Sequence, residues 1–140
     1  MQAEGSAAIA NAWESGTTDI SPVIADTVAD SISADRPSDG FRALRAVRET
    51  GGEFVTVTDE GILNGMSTLA RTLGVFSEPA AAAVYAGWLE LTEHNVISPE
   101  EQVVLLVTGH GLKDIDAVLP ITDRVLKIEP SLAALRTVLN

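Results

Sequence analysis

Thr108, Gly109, His110 and Gly111 are the residues of this chain best suited by type and spacing to hold a ligand. They follow the apolar run Val103–Val107 and precede a stretch with helical periodicity beginning at Leu112. In open α/β sheets ligands bind beyond the carboxyl ends of strands. Two glycines at such a place let the backbone approach a ligand closely, and Thr108 adds a hydroxyl at the strand end. The same residues also suit a tight strand-to-helix turn with a capping threonine, because short glycine motifs are weak signals by themselves. Other polar candidates are scattered. Glu78 stands before Pro79 and marks the start of a helix, as a cap or as part of a nearby site. Glu4 lies close to the N-terminus. His94 and His110 are the only histidines, and no cysteine or paired-histidine spacing supports a zinc site, so no metal is expected. His110 could line a pocket or hold a turn. Arg42, Arg45 and Arg48 form a stripe on one helix face, which reads as a solvated face rather than an anion site.

Composition narrows the classes that could use these residues. The 140 residues are 46% hydrophobic and 21% charged, which excludes a disordered chain and leaves room for one core. Only 4% are aromatic, so the core must come from Ala, Val, Leu and Ile. The net charge of −11 would repel a phosphate backbone, and nucleic-acid binding is not expected. The absence of cysteine removes disulfides, thiolate metal sites and a cysteine nucleophile, and fits a cytoplasmic protein. The first residues, Met1 to Trp13, have neither a basic start nor an unbroken apolar stretch, so they do not read as a signal peptide. The longest apolar stretch, Ala80–Leu89, is far short of the ~20 residues of a membrane span. An acidic surface with only Lys113 and Lys127 against seven arginines is one solution to solubility at high salt.

The elements that must position the candidates alternate in type. Helices are predicted over Ser6–Glu14, Phe41–Glu49, Pro79–Glu93, Leu112–Leu119 and Pro130–Leu139, with a further one capped by Thr58 or Asp59 and running to about Leu73. Leu44 and Val47 with Phe41, and Leu132 and Leu135 with Val138, form the apolar faces of two of them. Val23–Ile32 is ambiguous, and Ser98–Glu101 has capping-box spacing for one turn. Strands are predicted at Glu53–Thr58, Val103–Val107 and Arg124–Ile128. Val103–Val107 has no polar alternation, which implies burial on both faces. Strands alternating with helices give an α/β class, with a mostly parallel sheet covered by helices on both faces in three layers.

Several of these segments, in order, resemble one family. Thr108-Gly109-His110-Gly111-Leu112-Lys113-Asp114 resembles the TGHGLKD motif of threonine synthases. Phe76-Ser77-Glu78-Pro79-Ala80 is similar to that family's F-x-E-P-A segment, which related dehydratases share. Ala29–Ile32, Ala43–Val47 and Thr50–Gly52 resemble the stretches between, and Gln2-Ala3-Glu4-Gly5 resembles a Q-A-E-G turn after a core strand. The resemblance implies a fold-type-II enzyme, similar to tryptophan synthase β, with pyridoxal 5'-phosphate between two α/β domains. Residues 1–140 would be the C-terminal portion of its large cofactor-binding domain. The implied reaction converts O-phosphohomoserine and water to threonine and phosphate, a carbon–oxygen lyase chemistry in threonine biosynthesis. Thr108 maps onto the residue that bonds the pyridine nitrogen. Gly109, His110, Glu78 and Glu4 are the further cofactor-binding candidates.

The family's Schiff-base lysine and its glycine-rich phosphate loop have no counterpart in this sequence, so no catalytic residue is expected in the chain and the lysine-bearing N-terminal half is the expected partner. Homo-oligomers are also expected, with no nucleic acid and no membrane. A Schiff base needs a lysine, but Lys113 sits in the TGHGLKD-like run at a position where the family's lysine has another role. Both Lys113 and Lys127 therefore read as surface lysines. A serine or threonine dehydratase, a cysteate synthase, and a non-catalytic remnant acting as an assembly partner are the alternative readings.

Overall fold

The computed structural model describes residues 1–122 and 126–139. Two short strands, β1 (Gln2–Ala3) and β2 (Thr56–Val57), pair in parallel, with Gln2 beside Thr56 and Ala3 beside Val57. Among the described residues six α-helices accompany them: α1 (Ala8–Glu14), α2 (Gly40–Thr50), α3 (Asp59–Leu73), α4 (Pro79–Glu93), α5 (Ile115–Thr122) and α6 (Leu132–Leu139). The described residues thus form a helix-rich mixed fold around a small parallel sheet.

Local chemistry accounts for the helix limits. Thr58 caps α3, its hydroxyl accepting from the Gly61 amide at 3.0 Å, and Gly74 ends the helix at φ +68. Only glycine adopts that left-handed conformation without steric cost. Pro79 occupies the first turn of α4, where a missing N–H breaks no helical hydrogen bond. Before α1 the Gln2-Ala3-Glu4-Gly5 segment makes a short 3-10 turn, and α1 begins at Ala8 rather than Ser6. The Gln2 side chain reaches over this turn. Its carbonyl accepts from the Ile9 and Ala10 amides at 3.1 and 2.8 Å, and its amide donates to the Ser6 carbonyl at 3.0 Å.

The core sits where α3 and α4 pack on each other and α4 packs on β2. Ala3, Ala29, Val57, Ile62, Met66, Ala82, Ala83, Ala86 and Val118 are buried together. Small residues let the two helices approach closely. A Cβ added to Gly65 would stand 3.3 Å from both the Ala82 carbonyl oxygen and the Tyr85 ring. This matches the aliphatic, aromatic-poor core expected from composition. The arginine stripe of α2 is solvated: Arg42 and Arg45 pair with Asp39 and Glu49 at 3.9 and 2.7 Å on exposed surface, and Arg48 lies over the Trp13 ring.

Three expectations differ from the structure. Strand Glu53–Thr58 shortens to Thr56–Val57, the only residues with a strand opposite. Val103–Val107 is extended without being a strand, and it is not buried: Val104 and Leu106 are 82% and 70% exposed. A strand exists through its ladder, and the backbone of residues 103–107 makes no hydrogen bond among the described residues. Residues 126–128 of the third expected strand are irregular and exposed, while 124 and 125 lie outside the described residues. Leu132, Leu135 and Val138 of α6, expected to face inward, are 74%, 40% and 39% exposed. Val23–Ile32 resolves as irregular chain ending in a 3-10 turn, Asp30–Ile32. Ser98–Glu101 forms a reciprocal turn, with the Ser98 amide donating to the Glu101 carboxylate at 2.6 Å and the Glu101 amide to the Ser98 carbonyl at 3.0 Å.

Candidate functional site

Two segments far apart in sequence meet at the N-terminus of α4. Phe76–Glu78 runs antiparallel to Gly109–Gly111, with Ser77 bridged to His110. The Glu78 amide donates to the Gly109 carbonyl and the Gly111 amide to the Phe76 carbonyl, each at 2.9 Å. Both glycines are required by what lies against them. A Cβ on Gly111 would fall 2.6 Å from two Phe76 ring carbons, and one on Gly109 would fall 2.0 Å from Glu78 Oε1. His110 completes the turn. Its Nδ1 accepts from the Leu112 amide at 3.1 Å. The His110 ring also stands edge-on to Phe76 at 5.6 Å. Leu112–Leu119 accordingly divides into a 3-10 turn, Gly111–Lys113, and α5.

Thr108 lies at the mouth of this junction. With Gly109 and His110 it lines a pocket of about 390 Å³ whose opposite wall is Gly74, Val75 and Phe76. That volume is within the ~300–1,000 Å³ of small-molecule sites. The Thr108 side chain is exposed, and its hydroxyl has no partner among the described residues, so it is free to donate or accept.

Glu78 does not line that pocket; it is buried beneath the turn. Its side chain is 6% exposed, and Oε2 stands 3.0 Å from Lys113 Nζ. Ser31 joins both: its hydroxyl accepts from Lys113 Nζ at 3.0 Å and donates to Glu78 Oε2 at 3.4 Å. A carboxylate this buried requires a partner, since an isolated charge in the interior is strongly unfavourable. Neighbouring Ser77 is fully buried, and its Oγ has no partner among the described residues. The ion pair between positions 78 and 113 was not visible in spacing. The one cue was that both segments, and Ala29–Ile32 with them, resemble pieces of the same family.

Glu4 and His94 lie apart from this junction. They line a larger hollow of about 520 Å³ that also receives Glu14, Glu53 and Glu90. Four carboxylates make that hollow a poor host for a phosphate-bearing cofactor, because like charges repel. Among the described residues no cluster of three or more His, Asp and Glu is placed to hold a metal. No described helix is long and apolar enough to cross a membrane.

The chain is similar to known proteins over most of its length. The family described as "Pyridoxal-phosphate dependent enzyme" matches residues 1–109. The threonine synthase of Methanocaldococcus jannaschii is 37% identical over 141 aligned positions, covering 100% of this chain and 35% of that protein. The threonine synthase of Methanosarcina acetivorans is 40% identical over 137 positions, covering 97% of this chain and 34% of the relative. The chain thus spans about a third of the length of these curated relatives. A crystal structure of threonine synthase from Escherichia coli superposes on 94% of this chain with a TM-score of 0.61 at 21% identity, a likeness of fold. The Gln2–Gly5 turn, the α3–α4 pair and the bond between Glu78 and Gly109 fall inside the matched residues, and the chain belongs to the pyridoxal-phosphate dependent enzyme family.

Proposed function

We propose that this chain is the C-terminal portion of the large domain of a threonine synthase, a cytoplasmic enzyme converting O-phosphohomoserine and water to L-threonine and phosphate. The observation that carries the reading is the seating of Thr108–Gly111 on Phe76–Glu78, which leaves the Thr108 hydroxyl unpartnered at a pocket of small-molecule size. Similarity to threonine synthases over the whole chain supports it.

The residues present fit pyridoxal phosphate at its ring end. When bound, the cofactor supplies an electron sink for carbanions formed on the substrate. Thr108 would meet the pyridine nitrogen with a neutral hydroxyl, which orients the ring without holding that nitrogen protonated as a carboxylate would. Gly109 brings the backbone close to the pocket. His110, engaged with Leu112, shapes the turn and has no free Nδ1 for proton transfer. In this reading the lysine that holds the cofactor and the loop that cradles its phosphate would come from a portion outside these 140 residues.

That portion also supplies the missing sheet in this reading. Val103–Val107 becomes a strand between neighbours, and helices then cover both faces of a three-layer domain. The exposed apolar groups of residues 103–107 and α6 favour the need for such a partner, since large exposed apolar patches mark interaction surfaces.

The test restores the N-terminal half of a threonine synthase by fusion or co-expression. Thr108→Val is expected to shift the cofactor's absorbance and to lower kcat/KM by on the order of tenfold or more, about 1.4 kcal/mol of transition-state stabilisation. An unchanged spectrum and rate would remove Thr108 from the site.

A further inference from the structure

We infer that Lys113 is a positioning residue, which clamps the Thr108–Gly111 turn through the buried Glu78 carboxylate. The importance of Thr108 rests on the function proposed above; the clamp itself does not. Glu78 holds the turn at two points. Its backbone amide bonds the Gly109 carbonyl at 2.9 Å, and its carboxylate receives Lys113 Nζ at 3.0 Å, four residues further along. His110, Gly111 and Leu112 are held between these two anchors. The Glu78 side chain passes directly under Gly109, in space that any Cβ at that position would occupy. Thr108 is bonded to the first anchored residue, so its placement at the pocket follows from the clamp.

The pairing is asymmetric in a way that gives it leverage. The Lys113 side chain is 61% exposed, whereas that of Glu78 is 6% exposed. Lys113 loses little by staying in water, but among the described residues Glu78 without it keeps only the Ser31 hydroxyl, at 3.4 Å. Removing one partner of a buried pair leaves an uncompensated charge, which costs more than removing both. Ser31 extends the clamp to the Asp30–Ile32 turn, so three chain segments share one carboxylate. A lysine nitrogen engaged with a carboxylate and a hydroxyl is also poorly disposed to add to an aldehyde, so Lys113 positions the site without carrying the cofactor.

Amide hydrogen exchange on the full chain tests the clamp in four variants: Lys113→Met, Lys113→Arg, Glu78→Gln and the double variant K113M/E78Q. Lys113→Met is expected to accelerate exchange at the Glu78 and Gly111 amides by on the order of tenfold or more, with α3 amides unchanged. Lys113→Arg, which keeps the charge and the donors, is expected to restore protection. The double variant, with neither charge, is expected to be less perturbed than Lys113→Met, and it supplies the reading if the single variant fails to fold. The inference is overturned if Lys113→Met leaves both amides protected, if Lys113→Arg is as perturbed as Lys113→Met, or if α3 accelerates equally. In the restored enzyme, an unaltered cofactor spectrum in Thr108→Val with accelerated exchange in Lys113→Met would reject the functional reading and leave the clamp standing.

Discussion

The α3–α4 pair and the segment from Val103 to Leu139 are both rich in aliphatic side chains, yet they meet water differently. Ile62, Met66 and Ala82 are fully buried, whereas Leu106 and Leu132 are 70% and 74% exposed. Hydropathy is a property of the residue, while burial needs a second surface of matching shape. The helix pair contains its own second surface, because Gly65 of α3 admits the backbone of α4. Among the described residues the later segment meets the rest of the chain at the Phe76–Gly111 junction, at the Lys113 contacts with Glu78 and Ser31, and through Val118. Apolar pattern in the helix pair therefore describes a surface buried within this chain, whereas in the later segment it marks a surface largely open to water among the described residues.

Amide exchange offers the largest test of that contrast. Amides in the middle of α3 and α4 are expected to exchange on the order of a thousandfold more slowly than those of Val103–Val107, which lack hydrogen-bonded partners. Strong protection of residues 103–107 in a monodisperse monomer would erase the contrast. Side-chain truncation sharpens it at the next scale. Ile62→Ala is expected to lower unfolding free energy by about 2–5 kcal/mol in urea titrations, through a cavity in the core. Leu106→Ala, removing a similar volume from an exposed position, should stay within about 0.5 kcal/mol. Equal losses at the two positions would show that residue 106 is buried in solution. The smallest effect is at the helix cap: Thr58→Ala removes the hydroxyl that accepts from Gly61 and is expected to cost about 1 kcal/mol. A thermal midpoint unchanged by Thr58→Ala would mean that tertiary contacts alone hold the first turn of α3.

The same contrast explains what was legible in sequence. Helices α2, α3 and α4 were readable because their limits are set locally, by Thr58, Pro79 and the glycines Gly51 and Gly74. The TGHGLKD-like turn was readable through resemblance, and its contact with Phe76–Glu78 joins two segments that the resemblance had named separately. Val103–Val107 was misread because a parallel strand is defined by its neighbours, and no local signal reports whether neighbours exist. The Lys113–Glu78 pair was hidden because a lysine's charge looks the same in sequence whether it faces solvent or a buried carboxylate.

The close approach of α3 and α4 has a mechanical consequence. A Cβ on Gly65 would stand 3.3 Å from the Ala82 carbonyl oxygen and one on Gly61 would stand 3.9 Å from the Ala86 methyl, so only glycine leaves this crossing open. The same glycines, with Thr58, Tyr85 and Ala86, line a cleft of about 190 Å³ between the helices, and the volume decrease on unfolding under hydrostatic pressure scales with the voids that are eliminated. Compression therefore finds volume to eliminate at this seam, and the helices that begin beside Thr58 and Glu78 are where pressure is expected to act first.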